Sequence, residues 1–222
     1  MIKAIIFDLD DTLYHELEYV KSGFRAVSNY IADKYPISSE GFYKVLLSIL
    51  KKEGRGQTFD LALEEFGLSL KEVPEMVNLY RIHQPESFRL YPDAERAFNR
   101  LSGDYKLGLI TDGISKVQWN KIEALGIKDR FDYILVSDDH GRENRKPAPF
   151  LYQKMIEEFE VSPQEAVYIG DNPDKDFVTA KKLGLKTVRI IRQQGMHINK
   201  KLSEKYEADY EIESLDELEE II

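Results

Sequence analysis

The stretch that most narrows what this chain can fold into lies at its start: Ile2-Lys3-Ala4-Ile5-Ile6-Phe7-Asp8-Leu9-Asp10-Asp11-Thr12. A short apolar run, rich in β-branched residues, ends abruptly in three carboxylates. Its apolar part reads as a buried central strand of a parallel sheet. The period of two then puts Asp8 and Asp10 on the same side of the chain as it leaves the sheet. Like charges that close repel, and each raises the pKa of the other. A divalent cation is the usual compensation. The carboxyl edge of a parallel sheet is also where α/β proteins place ligands. Acidic residues suit a helix N-terminus too, so the same residues could cap the helix that follows. Three carboxylates in four positions exceed what capping needs.

After Thr12 the periodicity changes to three and four. Leu17, Val20, Phe24, Val27 and Ile31 form one apolar stripe, closed by Pro36. Ser38-Ser39-Glu40 opens a second helix with Phe42, Val45, Leu46 and Ile49 inward. Lys51-Lys52-Glu53-Gly54-Arg55-Gly56-Gln57 reads as a basic, glycine-containing break. Two more helical stretches follow, carrying Phe59, Ala62, Leu63 and Phe66, then Val73, Met76, Val77 and Tyr80, with Pro85 at the end. Residues 17–85 therefore read as a helical bundle.

From Pro92 helix and strand alternate. Strands are expected at Lys106–Thr111, Tyr133–Val136, Ala166–Gly170 and Lys186–Ile191. Helices are expected from Pro92, around Ile114–Leu125 and at Phe150–Phe159. Leu215, Leu218 and Ile221 predict a last amphipathic helix, with the Glu-rich run Glu211 to Glu220 as its exposed face. Such alternation means a parallel sheet with right-handed crossovers. The expected class is α/β: a Rossmann-like parallel sheet flanked by helices, built from residues 1–16 and 86–222, with an all-α domain of residues 17–85 inserted after the first strand.

Composition limits the function classes. The 222 residues are 42% hydrophobic, enough for a real core. A net charge of −9 argues against general nucleic-acid binding, which wants a basic face. With no cysteine there is no disulfide, thiol nucleophile or cysteine-ligated metal. No stretch approaches ~20 consecutive apolar residues, so no membrane span is expected. Met1-Ile2-Lys3 leads into a strand and not into a signal peptide, so a cytoplasmic protein is expected.

Three further strand ends are polar. Thr111-Asp112-Gly113 offers a hydroxyl and free backbone N–H groups at a helix start, which suits a phosphate or oxyanion. Arg145-Lys146-Pro147 places a cation before another helix, although a lone Lys146 would ordinarily be solvated. In Gly170-Asp171-Asn172-Pro173-Asp174-Lys175-Asp176, Asn172 can cap and Pro173 suits a first helical turn. That reading sets Asp171 just before a helix and Asp176 within its first turn.

These four stretches, in this order, resemble the motifs of the haloacid dehalogenase superfamily. Phe7-Asp8-Leu9-Asp10-Asp11-Thr12 is similar to its Asp-x-Asp-x-Thr motif. Ile110-Thr111, Lys146-Pro147 and Gly170-Asp171 with Asp176 are similar to the other three. The helical insertion resembles the α-helical cap that many members carry. The resemblance implies a phosphatase in which Asp8 is the nucleophile and Asp10 the general acid–base, raised in pKa while Asp8 stays ionised. It implies magnesium bound by Asp8, the Asp10 backbone carbonyl and Asp171. Thr111, Asp112, Gly113 and Lys146 would hold phosphate, Asp176 would orient Lys146 or a water, and Thr12 would fix the Asp10 turn. The family often has glycine where this chain has Asp11, and no role for Asp11 follows from the motif.

The implied substrate is a small phosphorylated metabolite: a sugar or triose phosphate, or a nucleoside monophosphate. Lys51, Lys52, Arg55 and Gln57 are candidates to touch its leaving group, although a solvated interhelix loop fits the same residues. His15 and Tyr14, just past the catalytic turn, could line the cavity. His83, His140 and His197 have no metal-ligand spacing. A monomer or homodimer is expected. Two other functions use similar residues: a receiver-like signalling module that accepts phosphate without turnover, and a sugar phosphomutase of the same superfamily.

Overall fold

The structure is a computed structural model that describes residues 1–85 and 88–222. In chain order the elements are β1 (Ala4–Phe7), α1 (Glu16–Lys34), α2 (Ser39–Glu53), α3 (Thr58–Glu65), α4 (Val73–Ile82), α5 (Pro92–Leu101), β2 (Lys106–Thr111), α6 (Ser115–Leu125), β3 (Tyr133–Val136), α7 (Phe150–Phe159), β4 (Ala166–Gly170), α8 (Phe177–Leu183), β5 (Lys186–Ile190) and β6 (Tyr210–Ile212). The chain divides into two compact units, Met1–Glu16 with Arg89–Ile222, and Leu17–Phe88.

The first unit holds one parallel sheet in the order β3-β2-β1-β4-β5-β6. Ala4–Phe7 is fully buried, as a strand with neighbours on both edges and layers on both faces must be. The chain runs outward from β1 in one direction, then returns to β4 and runs outward in the other. The switch point of such a sheet lies between β1 and β4, where a crevice opens at the carboxyl ends. Register brings the strand ends level: Phe7 pairs with Leu109 on one side and Ile169 on the other. Asp8, Thr111 and Asp171 therefore emerge together at one edge.

Both faces of the sheet are packed. Ile6, Ile110, Leu135 and Tyr168 meet Leu151, Tyr152 and Met155 of α7 and Phe177 of α8. Gly108 lets α7 approach closely, since a Cβ there would lie 2.8 Å from Met155 Sδ. On the opposite face Phe7 packs with Phe98 and Phe131, at ring centroid distances of 5.9 and 6.4 Å.

Three expectations for this unit need correction. A sixth strand, β6, pairs in parallel with β5 inside the stretch read as one helix face. It is three residues long at the sheet edge with only Ile212 buried, so no alternation marks it. The last element is a 3-10 helix, Leu215–Glu220, with Ser214 and Glu217 forming a capping box. After β4 the regular helix starts at Phe177, not at Pro173. Residues 172–176 form a turn in which Asn172 Oδ1 accepts from the Asp174 N–H at 3.1 Å.

The second unit is helical, α1 to α4 with a 3-10 turn at Leu70–Glu72. Val20, Phe24, Val27 and Ile31 of α1 meet Phe42 and Leu46 of α2, Ala62 and Leu63 of α3, and Met76 of α4. Ser38 caps α2, its Oγ accepting from the Gly41 N–H at 3.2 Å. The break after α2 is shorter than expected: Lys51 and Lys52 lie in the last helical turn, and Gly54, with φ 74°, ends it. Glu72 accepts hydrogen bonds from Tyr30, Tyr35 and Lys34, each at 2.8 Å. No described helix is long and apolar enough to cross a membrane.

Candidate active site

The polar strand ends of the first unit form one constellation. Lys146 Nζ lies 2.6 Å from Asp8 Oδ1, 2.7 Å from Asp176 Oδ1 and 2.8 Å from the Tyr168 hydroxyl. Burial disfavours the Lys146 ammonium, but Asp176 and Asp8 outweigh it and hold its pKa well above the ordinary value. Asp176 also accepts from the Asn172 N–H at 2.9 Å. Burial pushes the Asp176 carboxyl up, and Lys146, Lys175 and that N–H bring it below its ordinary value.

Asp171 has much weaker compensation, from the charge of Lys175 alone. Burial, then the charges of Asp176, Asp8 and Asp11, push its pKa well above the ordinary value. Carboxylate oxygens of Asp8, Asp171 and Asp176 lie within 4.8 Å of one another, all buried. Lys146 and the more distant Lys175 leave the three buried carboxylates with one negative charge in excess, and hard oxygen donors suit a divalent cation of the magnesium class. The residues present therefore fit such an ion.

Asp10 sits apart from that cluster. Its Oδ1 accepts from Lys121 Nζ at 2.7 Å and from the Tyr14 hydroxyl, and its Oδ2 accepts from Gln118 Nε2 at 3.1 Å. This reverses the expected order of acidities. Burial raises Asp10, but Lys121 and the donors Tyr14 and Gln118 outweigh it, so its pKa falls below the ordinary value. Asp8 is raised to about 6, chiefly by burial, with the charge of Asp176 adding and Lys146 opposing.

At the end of β2, the Thr111 hydroxyl accepts from Gln118 Nε2 at 2.5 Å. Asp112 Oδ1 accepts from the Lys146 N–H at 3.1 Å, and its other oxygen is 3.7 Å from Lys175 Nζ. The Gly113 N–H is not free as expected; it donates to Ser137 Oγ at 3.3 Å. Thr12 makes its contacts through the backbone. Its buried hydroxyl has no hydrogen-bond partner among the described residues, and its carbonyl does the holding, accepting from Arg192 Nη2 at 2.7 Å. Arg192 pairs with Asp93 at 2.7 Å and stacks 4.0 Å over the Tyr91 ring.

Asp11 acquires a structural role. It has φ 52°, a left-handed conformation that Asp tolerates better than most residues. Its carboxylate accepts from the Glu16 N–H at 2.9 Å and the Met196 N–H at 3.0 Å. His15 Nδ1 lies 3.3 Å from it, and the ring lines a cavity of about 330 Å³ with Tyr91 and Arg192. Lys51, Lys52, Arg55 and Gln57 belong to the helical unit and are exposed. Arg55 borders a cavity of about 170 Å³ there, walled by Phe24, Phe59 and Tyr80.

Sequence reasoning missed Gln118, Lys121, Tyr168 and Lys175. Gln118 and Lys121 carried a faint signal, a three-residue spacing on the helix that follows Thr111. Tyr168 reads as ordinary strand core, and nothing in the pattern marks its hydroxyl.

Comparison with known proteins places the chain in a family. A family model described as haloacid dehalogenase-like hydrolase matches residues 5–190. The chain is 34% identical over 227 residues to the glyceraldehyde 3-phosphate phosphatase of Pyrococcus furiosus, covering 100% of this chain and 93% of that one. It is 35% identical over 228 residues to the glyceraldehyde 3-phosphate phosphatase of Methanocaldococcus jannaschii, covering 100% and 97%. Among solved structures it matches a HAD phosphatase from Thermococcus onnurineus at a TM-score of 0.66 and 30% identity, over 99% of this chain and 97% of that one. The chain belongs to the haloacid dehalogenase-like hydrolase family and is a phosphoric monoester hydrolase within it.

Proposed function

We propose that this chain is a magnesium-dependent phosphatase that hydrolyses a small phosphorylated metabolite, a triose phosphate before other sugar phosphates or a nucleoside monophosphate. The observation that carries the reading is Asp8 itself. It stands 2.6 Å from a buried ammonium and shares an acid cluster with Asp171 and Asp176. The choice of triose phosphate is supported by the phosphatases named above.

In this reading Asp8 attacks phosphorus, the bond to the leaving oxygen breaks, and an aspartyl-phosphate forms. Asp10, whose carboxyl the fold holds below its ordinary pKa, must gain its proton as substrate binds; it gives that proton to the leaving alkoxide, then takes one from the water that hydrolyses the intermediate. Lys146, the Thr111 hydroxyl and the Asp112 N–H stabilise the phosphoryl oxygens. The Gly113 N–H, already donated to Ser137, is left out of that set. Asp8, Asp171 and the Asp10 carbonyl would hold magnesium, which would supply positive charge to the phosphoryl oxygens. Asp176 orients Lys146, which lies 2.7 Å away. We assign substrate choice to residues 17–85 as the cap, and the core to residues 1–16 and 86–222.

The test is a panel of phosphomonoesters with magnesium, including glyceraldehyde 3-phosphate and nucleoside monophosphates. Turnover by wild type and its loss in Asp8→Asn are expected. Inactivity on the whole panel, with Asp8→Asn indistinguishable from wild type, would count against the reading. A stable phosphoprotein without turnover would favour a phospho-acceptor module instead.

A further inference from the structure

Helix α6 carries two buried polar side chains three residues apart, Gln118 at 1% and Lys121 at 4% exposure. Both turn to the same carboxylate: Lys121 Nζ is 2.7 Å from Asp10 Oδ1, and Gln118 Nε2 is 3.1 Å from Asp10 Oδ2. The Gln118 amide also reaches Thr111 Oγ1, so one side chain ties two strand ends together. The Tyr14 hydroxyl donates to Oδ1 from the other end of the turn. Donors on both oxygens fix the plane of the carboxylate. Ordering a long side chain and burying an ammonium are both unfavourable, so this arrangement is more than a turn needs.

We propose that Lys121 and Gln118 are positioning residues that set the Asp10 carboxylate against the phosphoryl group on Asp8, chiefly for hydrolysis of the aspartyl-phosphate. The inference rests on Asp10 being the proton carrier of the proposed function. In that step a water oxygen bonds to phosphorus and the bond between phosphorus and the Asp8 oxygen breaks. The electron pair stays on the Asp8 carboxylate, the water proton passes to Asp10, and inorganic phosphate is released. A base must lie within hydrogen-bond reach of that proton, and a displacement of about 1 Å costs on the order of 100-fold in rate.

The experiment uses the full chain with magnesium and the best substrate of the panel. In Lys121→Met, kcat should fall about 10- to 100-fold while KM stays within about twofold. Enzyme quenched during turnover should carry covalent phosphate, read by intact mass, well above the wild-type level. Lys121→Arg should recover part of the rate. Should Lys121→Met fail to fold, Gln118→Leu and Tyr14→Phe, which each remove one neutral donor, carry the same expectation. A change confined to KM, or a slower enzyme without phosphoenzyme build-up, would overturn the proposal. So would variants that turn over like wild type while wild type works through Asp8. A wild type that never forms a bond to Asp8 would instead sink the proposed function.

Discussion

Asp8 and Lys146, far apart in sequence, form a buried ion pair with Nζ 2.6 Å from Oδ1. Both side chains are nearly inaccessible, and Asp176 shares the same ammonium at 2.7 Å. Two carboxylates thus share one paired cation. Lys146→Met would leave both buried without it, and breaking a buried pair typically costs about 3–5 kcal/mol. Chemical denaturation should show a loss of that size, together with loss of phosphatase activity. A loss under about 1 kcal/mol would mean that the acids are hydrated, not dependent on the lysine.

The acid cluster predicts a pH dependence that magnesium should cancel. Burial, with Asp176 adding and Lys146 opposing, raises Asp8 to about 6. Asp171 is raised well above its ordinary value too, by burial and by Asp176, Asp8 and Asp11. An acid raised in the folded state binds its proton more tightly there than when unfolded. Its contribution is therefore full below the unfolded value of about 3.9 and is lost as pH rises through the folded value. Metal-free protein should lose thermal stability from about pH 4 through about pH 6, and magnesium, binding the ionised acids, should restore it. Thermal scans in chelator and in magnesium should diverge as pH rises. Curves that coincide at neutral pH would argue that no ion binds there.

Arg192 holds the turn after β1 from behind. Its guanidinium spans Asp93 and the Thr12 carbonyl, each at 2.7 Å. Among the described residues, Arg192→Met leaves Asp93 partnered by the Leu215 N–H at 2.8 Å and the Ser214 hydroxyl at 3.4 Å. A loss of about 3 kcal/mol is expected by denaturation. Arg192→Lys should recover little, because one ammonium lacks the fork that reaches both acceptors. Full recovery by lysine would show that charge alone matters.

In the helical unit Glu72 is held at about 2, first by Lys34, then by Tyr35 and Tyr30. A lowered carboxyl contributes stability above its ordinary value of 4.5, lost as pH falls toward about 2. Glu72→Gln should lower the melting midpoint near neutral pH and converge with wild type in acid. A mutant with the wild-type acid limb would show that Glu72 is not the group titrating.

Much of the fold was legible because it rests on side-chain polarity. The spans of β2, β3 and β4 follow from apolar runs bounded by polar residues, and α5 to α7 from an apolar stripe. β6 was not, since a three-residue edge strand buries one side chain and leaves no period to read. The turn after Gly170 was misread because Asn172-Pro173 has helix-start chemistry, and Asn172 does cap Asp174. The chain nevertheless delays its regular helix until Phe177.

The amino-acid order by itself determined where carboxylates, a hydroxyl and a lysine leave the strands, because each sits at an abrupt end of an apolar run. Only the tertiary structure decided which cation each acid pairs with: Lys146 goes to Asp8 and Asp176, Lys121 to Asp10, and among the described residues Asp171 has no ion pair, only the more distant charge of Lys175. Charge–charge energy in a poorly polarisable interior changes steeply over a few ångströms. Periodicity carries the face a residue occupies, not that distance.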